Sequence, residues 1–214
     1  MIKPRVLLAD DHTLVLEGFR RMLEDTCELV GMVEDGRTLL DTAERLEPDL
    51  VILDISMPML NGIDAARQLK KQLPQVKLLF ITMHADRAYL KAAFQAGASG
   101  YLLKRSASDE LDEAIRAVMN GHYYITPLMT KDVIDSLLKD SPDDTSQADP
   151  LTSRQREILQ LVGEGRSAKE IAKLLDVSPR TVEFHKAQIM EQLNLHTTAD
   201  LVKYAISHGL ISPA

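Results

Sequence analysis

Five side chains, Asp10, Asp11, Asp54, Thr82 and Lys104, each stand at the end of a short apolar run, which puts three carboxylates, a hydroxyl and an ammonium where four chain segments end. If those ends meet, the three carboxylates repel one another. A hard divalent cation such as Mg²⁺ relieves the repulsion, because it takes carboxylate oxygens and completes its shell with water or phosphate oxygens. The metal and a lysine opposite it would together stabilise charge on a phosphoryl group, so the set suits transfer of a phosphoryl group to one of the acids. Each residue also has an ordinary alternative. An Asp after a strand commonly caps the next helix, Thr82 could do the same, and Lys104 alone reads as a solvated surface lysine. It is their coincidence at segment ends that points to chemistry.

The elements that must position them follow from patterning. The runs Val6–Ala9, Leu29–Val33, Leu50–Leu53, Leu78–Ile81 and Tyr101–Leu103 are almost continuously apolar, as parallel strands buried on both faces are. Between them lie helical repeats such as Leu14-Gly18-Met22 and Ile63-Ala66-Leu69-Leu73. Alternation of this kind predicts an α/β fold, a five-stranded doubly wound parallel sheet. In the common order 2-1-3-4-5, strands one and three are neighbours where the order reverses, and sites form beyond the carboxyl ends there. Asp10, Asp11 and Asp54 then converge.

The rest of the chain is different in kind. Residues 140–150, DSPDDTSQADP, have linker composition. Leu128–Lys139 has helical spacing that fits a connecting helix or an extension of the fifth helix. Beyond the linker only helical patterns occur. Thr152 with Gln155, and Ser167 with Glu170, form capping boxes, Ser178-Pro179 opens a third helix, and Thr197 or Thr198 opens a fourth. The expected domains are 1–122, a linker over 123–149, and an all-α four-helix domain over 150–214. The chain of 214 residues carries a net charge of −7, which argues against a broad nucleic-acid surface. Residues 1–130 and 131–149 each contribute −4, however, and residues 150–214 contribute +1. A nucleic-acid contact there would rest on the placement of a few basic groups. The lone Cys27 reads as a core residue. No apolar run approaches the ~18 residues of a membrane span, and the apolar stretch after Arg5 is too short for a signal peptide. A cytoplasmic protein is expected.

These residues carry a family resemblance. LLADDH (7–12), VILDISMPMLNG (51–62), LFITMH (79–84) and GASGYLLK (97–104) resemble the CheY-like, flavodoxin-fold receiver of bacterial two-component response regulators. The Asp-x-x-Met-Pro-x-x-x-Gly pattern from Asp54 to Gly62 is specific. The resemblance implies that Asp54 accepts phosphate from a sensor histidine kinase. It also implies that Asp11, Asp54 and the backbone carbonyl of Ser56 hold Mg²⁺ with Asp10 acting through water, that Lys104 contacts the phosphoryl group, and that Thr82 and Tyr101 form a switch. His84 stands where it could approach an attacking water. Arg105 replaces a proline common after the lysine, as is familiar in regulators with this type of output domain.

Residues 151–193, LTSRQREILQLVGEGRSAKEIAKLLDVSPRTVEFHKAQIMEQL, are similar to the LuxR/NarL (FixJ-like) helix-turn-helix, whose second helix enters the major groove. Val182, Ile189 and Leu193 would face inward. The resemblance implies base reading by Glu183, Phe184 and Ala187 and phosphate contacts by Lys169, Arg180, Thr181 and Lys186, with His185 either packing or touching the backbone. An exposed Phe184 could meet a thymine methyl; alternatively it packs on a neighbouring helix. Many relatives have lysine where Glu183 and Gln192 stand, so weak binding by one domain and a homodimer on two half-sites are expected. Leu201, Val202 and Ala205 are candidates for the dimer contact, or for core packing. The expected function is transcriptional regulation by a phosphorylated, non-enzymatic DNA-binding protein. The rivals are a regulator that keeps the receiver only as a dimer scaffold, and a Mg²⁺-dependent aspartyl-phosphate phosphatase. Phosphatases of that kind usually carry a second acid two residues past the nucleophile, where this chain has Ser56.

Overall fold

In the computed structural model the described residues are 3–130 and 150–211, and the chain divides into two compact units. The first alternates strand and helix as β1 (Arg5–Ala9), α1 (Thr13–Leu23), β2 (Glu28–Val33), α2 (Gly36–Leu46), β3 (Leu50–Leu53), α3 (Gly62–Gln72), β4 (Lys77–Thr82), α4 (Arg87–Gln95), β5 (Gly100–Leu103), α5 (Ala107–Met119) and β6 (Tyr124–Ile125). The sheet order is β2-β1-β3-β4-β5-β6, and every neighbouring pair is parallel.

The two-residue period of the strands divides the core. Val6, Leu8, Leu50, Ile52, Leu79, Ile81 and Leu102 face one way and pack with Leu16, Phe19 and Leu23 of α1 and Leu111, Ile115 and Val118 of α5. The alternate residues, among them Leu7, Val51, Leu53, Leu78, Phe80 and Tyr101, are equally buried on the opposite face. Two buried faces explain why the runs read as continuous rather than alternating.

The expected five strands become six. Tyr124–Ile125 pairs with Gly100–Tyr101, just beyond residue 122, where the sequence reading ended the domain. A two-residue strand leaves no periodicity to read; what fixes it is the burial of Tyr124 against the α5 side of the sheet. The expected helix over Leu128–Lys139 is helical through residue 130. Its remainder, and the linker to residue 149, lie outside the described residues.

The second unit contains α6 (Ser153–Gly163), α7 (Ala168–Leu175), α8 (Pro179–Gln192) and α9 (Thr198–Ser207). Reciprocal capping boxes start α6 at Thr152/Gln155, α7 at Ser167/Glu170 and α9 at Thr197/Asp200. Ser178 caps α8 by accepting from the Thr181 N–H, with Pro179 in the first turn. Ile158, Leu161, Ile171, Leu175, Val182, Ile189, Leu201 and Ala205 form its core. Cys27 is buried and unbonded to sulfur, and no described helix is long and apolar enough to cross a membrane.

Candidate functional site

Adjacent parallel strands bring the acids together. Ala9 pairs with Leu53, and the Asp54 N–H donates to the Ala9 carbonyl at 2.9 Å, so Asp10 and Asp54 leave neighbouring strands at one level. Both are buried, at 3 % and 4 % exposure. Two buried carboxylates this close need compensation, and Lys104 supplies it. Its Nζ lies 2.6 Å from Asp10 Oδ2 and 2.7 Å from Asp54 Oδ2. The other Asp54 oxygen accepts from the Ile55 N–H at 2.6 Å. Burial pulls the Lys104 ammonium down, but Asp54 and Asp10 outweigh it and its pKa rises above the ordinary lysine value.

The capping alternatives for these residues do not occur. The N-cap of α1 is His12, that of α4 is Asp86, and the Lys104 side chain is only 11 % exposed. The turn after Asp54 is equally constrained. A side-chain carbon at Gly62 would run into the Asp54 backbone carbonyl, so only glycine permits the approach.

Asp11 stands at the mouth, its side chain 34 % exposed. Burial, opposed by His12 and reinforced by Asp10 and Asp54, pushes its carboxyl above the usual range. His12 Nδ1 lies 2.8 Å from Asp11 Oδ1 and 3.2 Å from Asp10 Oδ1, and the three side chains can each offer a ligand atom within 4.8 Å of the others. Three carboxylates with one lysine leave an excess of negative charge on hard oxygen donors, a set that fits a divalent cation.

The switch candidates converge on one backbone. Thr82 is the last residue of β4 and fully buried; Tyr101 lies within β5, also fully buried. The Thr82 hydroxyl accepts from the His84 N–H at 3.3 Å, and the Tyr101 hydroxyl donates to the His84 carbonyl at 2.8 Å. The His84 ring stacks on Tyr89 with centroids 4.1 Å apart, and its Nε2 is 2.8 Å from Ser56 Oγ. Burial lowers the His84 pKa.

In the helical unit, Asp176 ends α7 in the left-handed conformation, φ 51°, and the turn delivers α8 at Ser178. Val182 and Ile189 are buried, and Leu193 is half-buried rather than fully inward. Arg180, Glu183, Phe184, Ala187 and Lys169 are exposed, while Thr181, His185, Lys186 and Gln188 are half-buried. Phe184 is 59 % exposed and touches His185 edge to face at 5.8 Å, so it does not serve the core. Thr181 shares a hydrogen bond with Ser178 at 2.8 Å. Lys186, Glu183 and Arg166 line one cleft beside the α7 N-terminus. Leu201 and Ala205 are fully buried, which assigns them to core packing rather than to a dimer contact. On α9, Val202 is half-buried and Ile206 exposed.

Residues 6–116 match the family model described as response regulator receiver domain, and residues 149–205 match that of bacterial regulatory proteins, luxR family. The chain is a LuxR-family response regulator. The regulator is 39 % identical over 212 residues to the transcriptional regulatory protein MctR of Rhizobium johnstonii, covering 98 % of this chain and 96 % of that protein. It is 36 % identical over 214 residues to the oxygen regulatory protein NreC of Staphylococcus carnosus, covering 97 % and 99 %. Its fold is similar to that in a solved structure of two RcsB dimers bound to two parallel DNAs, with TM-score 0.61 and 28 % identity over 96 % of this chain and 98 % of that one. These relatives make the regulator one of the DNA-binding transcriptional regulators of two-component systems.

Sequence reasoning missed two features of the regulator's first unit. His12 closes on Asp10 and Asp11, a contact signalled only by its adjacency to them. Thr126, beyond the expected domain end, is fully buried and hydrogen-bonded to β5; no pattern in the sequence marks it.

Proposed function

We propose that Asp54 is the phosphoryl acceptor of this regulator, and that its phosphorylation governs DNA binding by the C-terminal unit. The observation that carries this reading is the Lys104 ammonium spanning Asp10 and Asp54, while the Ile55 N–H fixes one Asp54 oxygen. A phosphohistidine of a sensor kinase would supply the group. The P–N bond breaks, a P–O bond to Asp54 forms, and the histidine keeps the electron pair. Asp11, Asp54 and the Ser56 carbonyl would hold Mg²⁺, with Asp10 acting through water, and the ion would neutralise phosphoryl charge. Lys104 would then exchange an Asp54 oxygen for a phosphoryl oxygen.

The new group adds roughly two negative charges and strong acceptors. Thr82 turns its hydroxyl toward them and gives up its contact with the His84 N–H. Tyr101, bonded to the His84 carbonyl, follows that movement, so a local bond biases a two-state surface. The receiver, expected over 1–122, carries its sheet on to Ile125, and the output domain is placed over 150–214. The output domain binds DNA as a homodimer on two half-sites, which the RcsB assembly supports by analogy. Glu183, Phe184 and Ala187 read bases, while Lys169, Arg180, Thr181 and Lys186 meet phosphates.

Intact-protein mass after incubation with acetyl phosphate and Mg²⁺ tests the first step. Wild type is expected to gain one phosphoryl mass, and Asp54→Ala none. Equal gain in both would place the phosphate elsewhere and remove the reading. Phosphorylated wild type is expected to bind promoter DNA more tightly than the unphosphorylated protein.

A further inference from the structure

Thr126 follows β6 directly and is fully buried. Its N–H donates to the Tyr101 carbonyl at 3.0 Å, and its hydroxyl accepts from the Leu103 N–H at 3.1 Å. In a parallel ladder the second of these bonds goes to a backbone carbonyl. Here the hydroxyl replaces it, and the Thr126 carbonyl turns away to accept from the Met129 N–H at 2.9 Å. Thr126 is therefore both the last rung of the sheet and the start of the helical residues 127–130, with Pro127 at the first helical position.

The hydroxyl proton is also fixed. It donates to Glu110 Oε2 at 2.9 Å, and the same oxygen accepts from the Tyr124 hydroxyl at 3.1 Å. Burial and the bond to Glu110 hold the Tyr124 phenol well above its ordinary pKa, so it stays a donor. With its proton committed to Glu110, the Thr126 oxygen is left to accept from Leu103.

The residues that Thr126 grips are those flanking the switch. Tyr101 is one of its members, and Leu103 immediately precedes Lys104. Leu103 also stands opposite Thr82 across the β4–β5 ladder. One residue thus holds β5 at both ends of the stretch between Tyr101 and Lys104, by its backbone N–H at Tyr101 and its hydroxyl at Leu103, from the edge away from β4.

We propose that Thr126 is a positioning residue of the switch: its N–H at the Tyr101 carbonyl and its hydroxyl at the Leu103 N–H together tie β5 to the outgoing chain, so that movement of β5 on phosphorylation is carried into the segment after residue 126. This rests on Asp54 being the acceptor. A valine keeps the shape and removes the hydroxyl. It also leaves the Leu103 N–H and the Glu110 carboxylate short of a partner, so the coupling weakens, while Asp10 and Asp54, which follow β1 and β3, and the two salt bridges of Lys104 remain.

The experiment uses the full chain. Thr126→Val and Thr126→Ser are compared with wild type for phosphoryl uptake by intact mass, and for the gain in DNA affinity that phosphorylation produces. Thr126→Val is expected to take up one phosphoryl group and to lose about fivefold of that gain, the worth of one ordinary hydrogen bond; Thr126→Ser should restore it. A full gain in Thr126→Val overturns the proposal. So does a loss that serine does not repair, because the hydroxyl would then not be the cause. If Thr126→Val does not fold, Tyr124→Phe, which removes the second donor to Glu110, should show a smaller loss in the same direction, and an unchanged gain there overturns the proposal as well. Failure of wild type to take phosphate at Asp54 would remove the functional reading itself, and is seen before any Thr126 variant is made.

Discussion

The acid pocket and the recognition helix are built on opposite principles. In the pocket, Asp10, Asp54, Thr82 and Tyr101 are all nearly inaccessible, and every one of them is held by a partner. On α8, Arg180, Glu183, Phe184 and Ala187 stand in solvent, held only by the helix beneath them. The first site is held in place by contacts within the protein, as electrostatic preorganisation requires. The second, on the proposed reading, would meet a partner that supplies the other half of the site, so its side chains would be free to be chosen for that partner. Substitutions in the pocket should therefore act on stability and chemistry together, and substitutions on the outer face of α8 on binding alone.

The harshest test of this difference is Gly62→Ala. The added carbon meets the Asp54 carbonyl and the Ile55 backbone, neither of which is a flexible side chain. We expect a loss of about 3 kcal/mol or more from overpacking, with phosphoryl uptake abolished in whatever protein remains folded. Urea denaturation and intact mass read the two effects. A stable Gly62→Ala protein that phosphorylates normally would show that the pocket is not rigid.

Next in size is Leu201→Ala. Leu201 is fully buried, and truncating such a leucine costs about 2–5 kcal/mol. Ile206, exposed on the same helix, should cost less than about 0.5 kcal/mol when replaced by alanine. If α9 pairs with a second copy, Ile206→Ala should instead weaken dimerisation, read by sedentation-equilibrium ultracentrifugation of the phosphorylated protein. A stability loss at Ile206 equal to that at Leu201 would erase the distinction between core and outer face.

These two tests also show what a sequence conveys. The five principal strands and the four C-terminal helices were legible because burial on both faces makes continuous apolar runs, and capping residues mark helix starts at fixed offsets. The acid pocket was legible for a related reason: strand ends in a parallel sheet are all at one level, so residues after each run must meet. Leu201 and Ala205 show the limit. They and Val202 lie on one amphipathic stripe, and periodicity cannot tell whether such a stripe faces its own core or another chain. Thr126 shows a second limit. Its role depends on a hydroxyl standing in for a carbonyl across a two-residue strand, a matter of register that no spacing records.

Smaller effects are expected on α8. Phe184→Ala should leave stability within about 0.5 kcal/mol of wild type, because the ring is largely exposed, yet cost about 1–3 kcal/mol of discrimination at one base pair if the ring meets a thymine methyl. Arg180→Ala should weaken binding to all sequences alike and reduce the salt slope of log K by about 1. Fluorescence anisotropy titrations over a salt series separate the two. A Phe184→Ala protein that unfolds early, with unchanged sequence preference, would make the ring a packing group after all.

The smallest effect concerns carboxylates, and it sets the two units against each other once more. Asp11 in the pocket is pushed up by burial, whereas Glu170 and Asp200 in the helical unit are held below the usual range. The Ser167 hydroxyl donates to Glu170 Oε2 at 2.6 Å, and the Thr197 hydroxyl to Asp200 Oδ2 at 2.7 Å, with the N–H of the same serine and threonine adding to each. A folded-state pKa below the unfolded one means stability that is present above the unfolded values, about 4.3 for Glu and 3.9 for Asp, and lost as pH falls through the lower folded ones. Glu170→Gln and Asp200→Asn should therefore melt slightly below wild type at neutral pH, with the gap closing as the solution is acidified past those values. Glu170 is exposed and Asp200 half-buried, so added salt should shrink the gap further, more at Glu170 than at Asp200. A gap that kept its size in acid would mean that the caps act through shape and neutral hydrogen bonding, and that the charge at these helix starts contributes nothing.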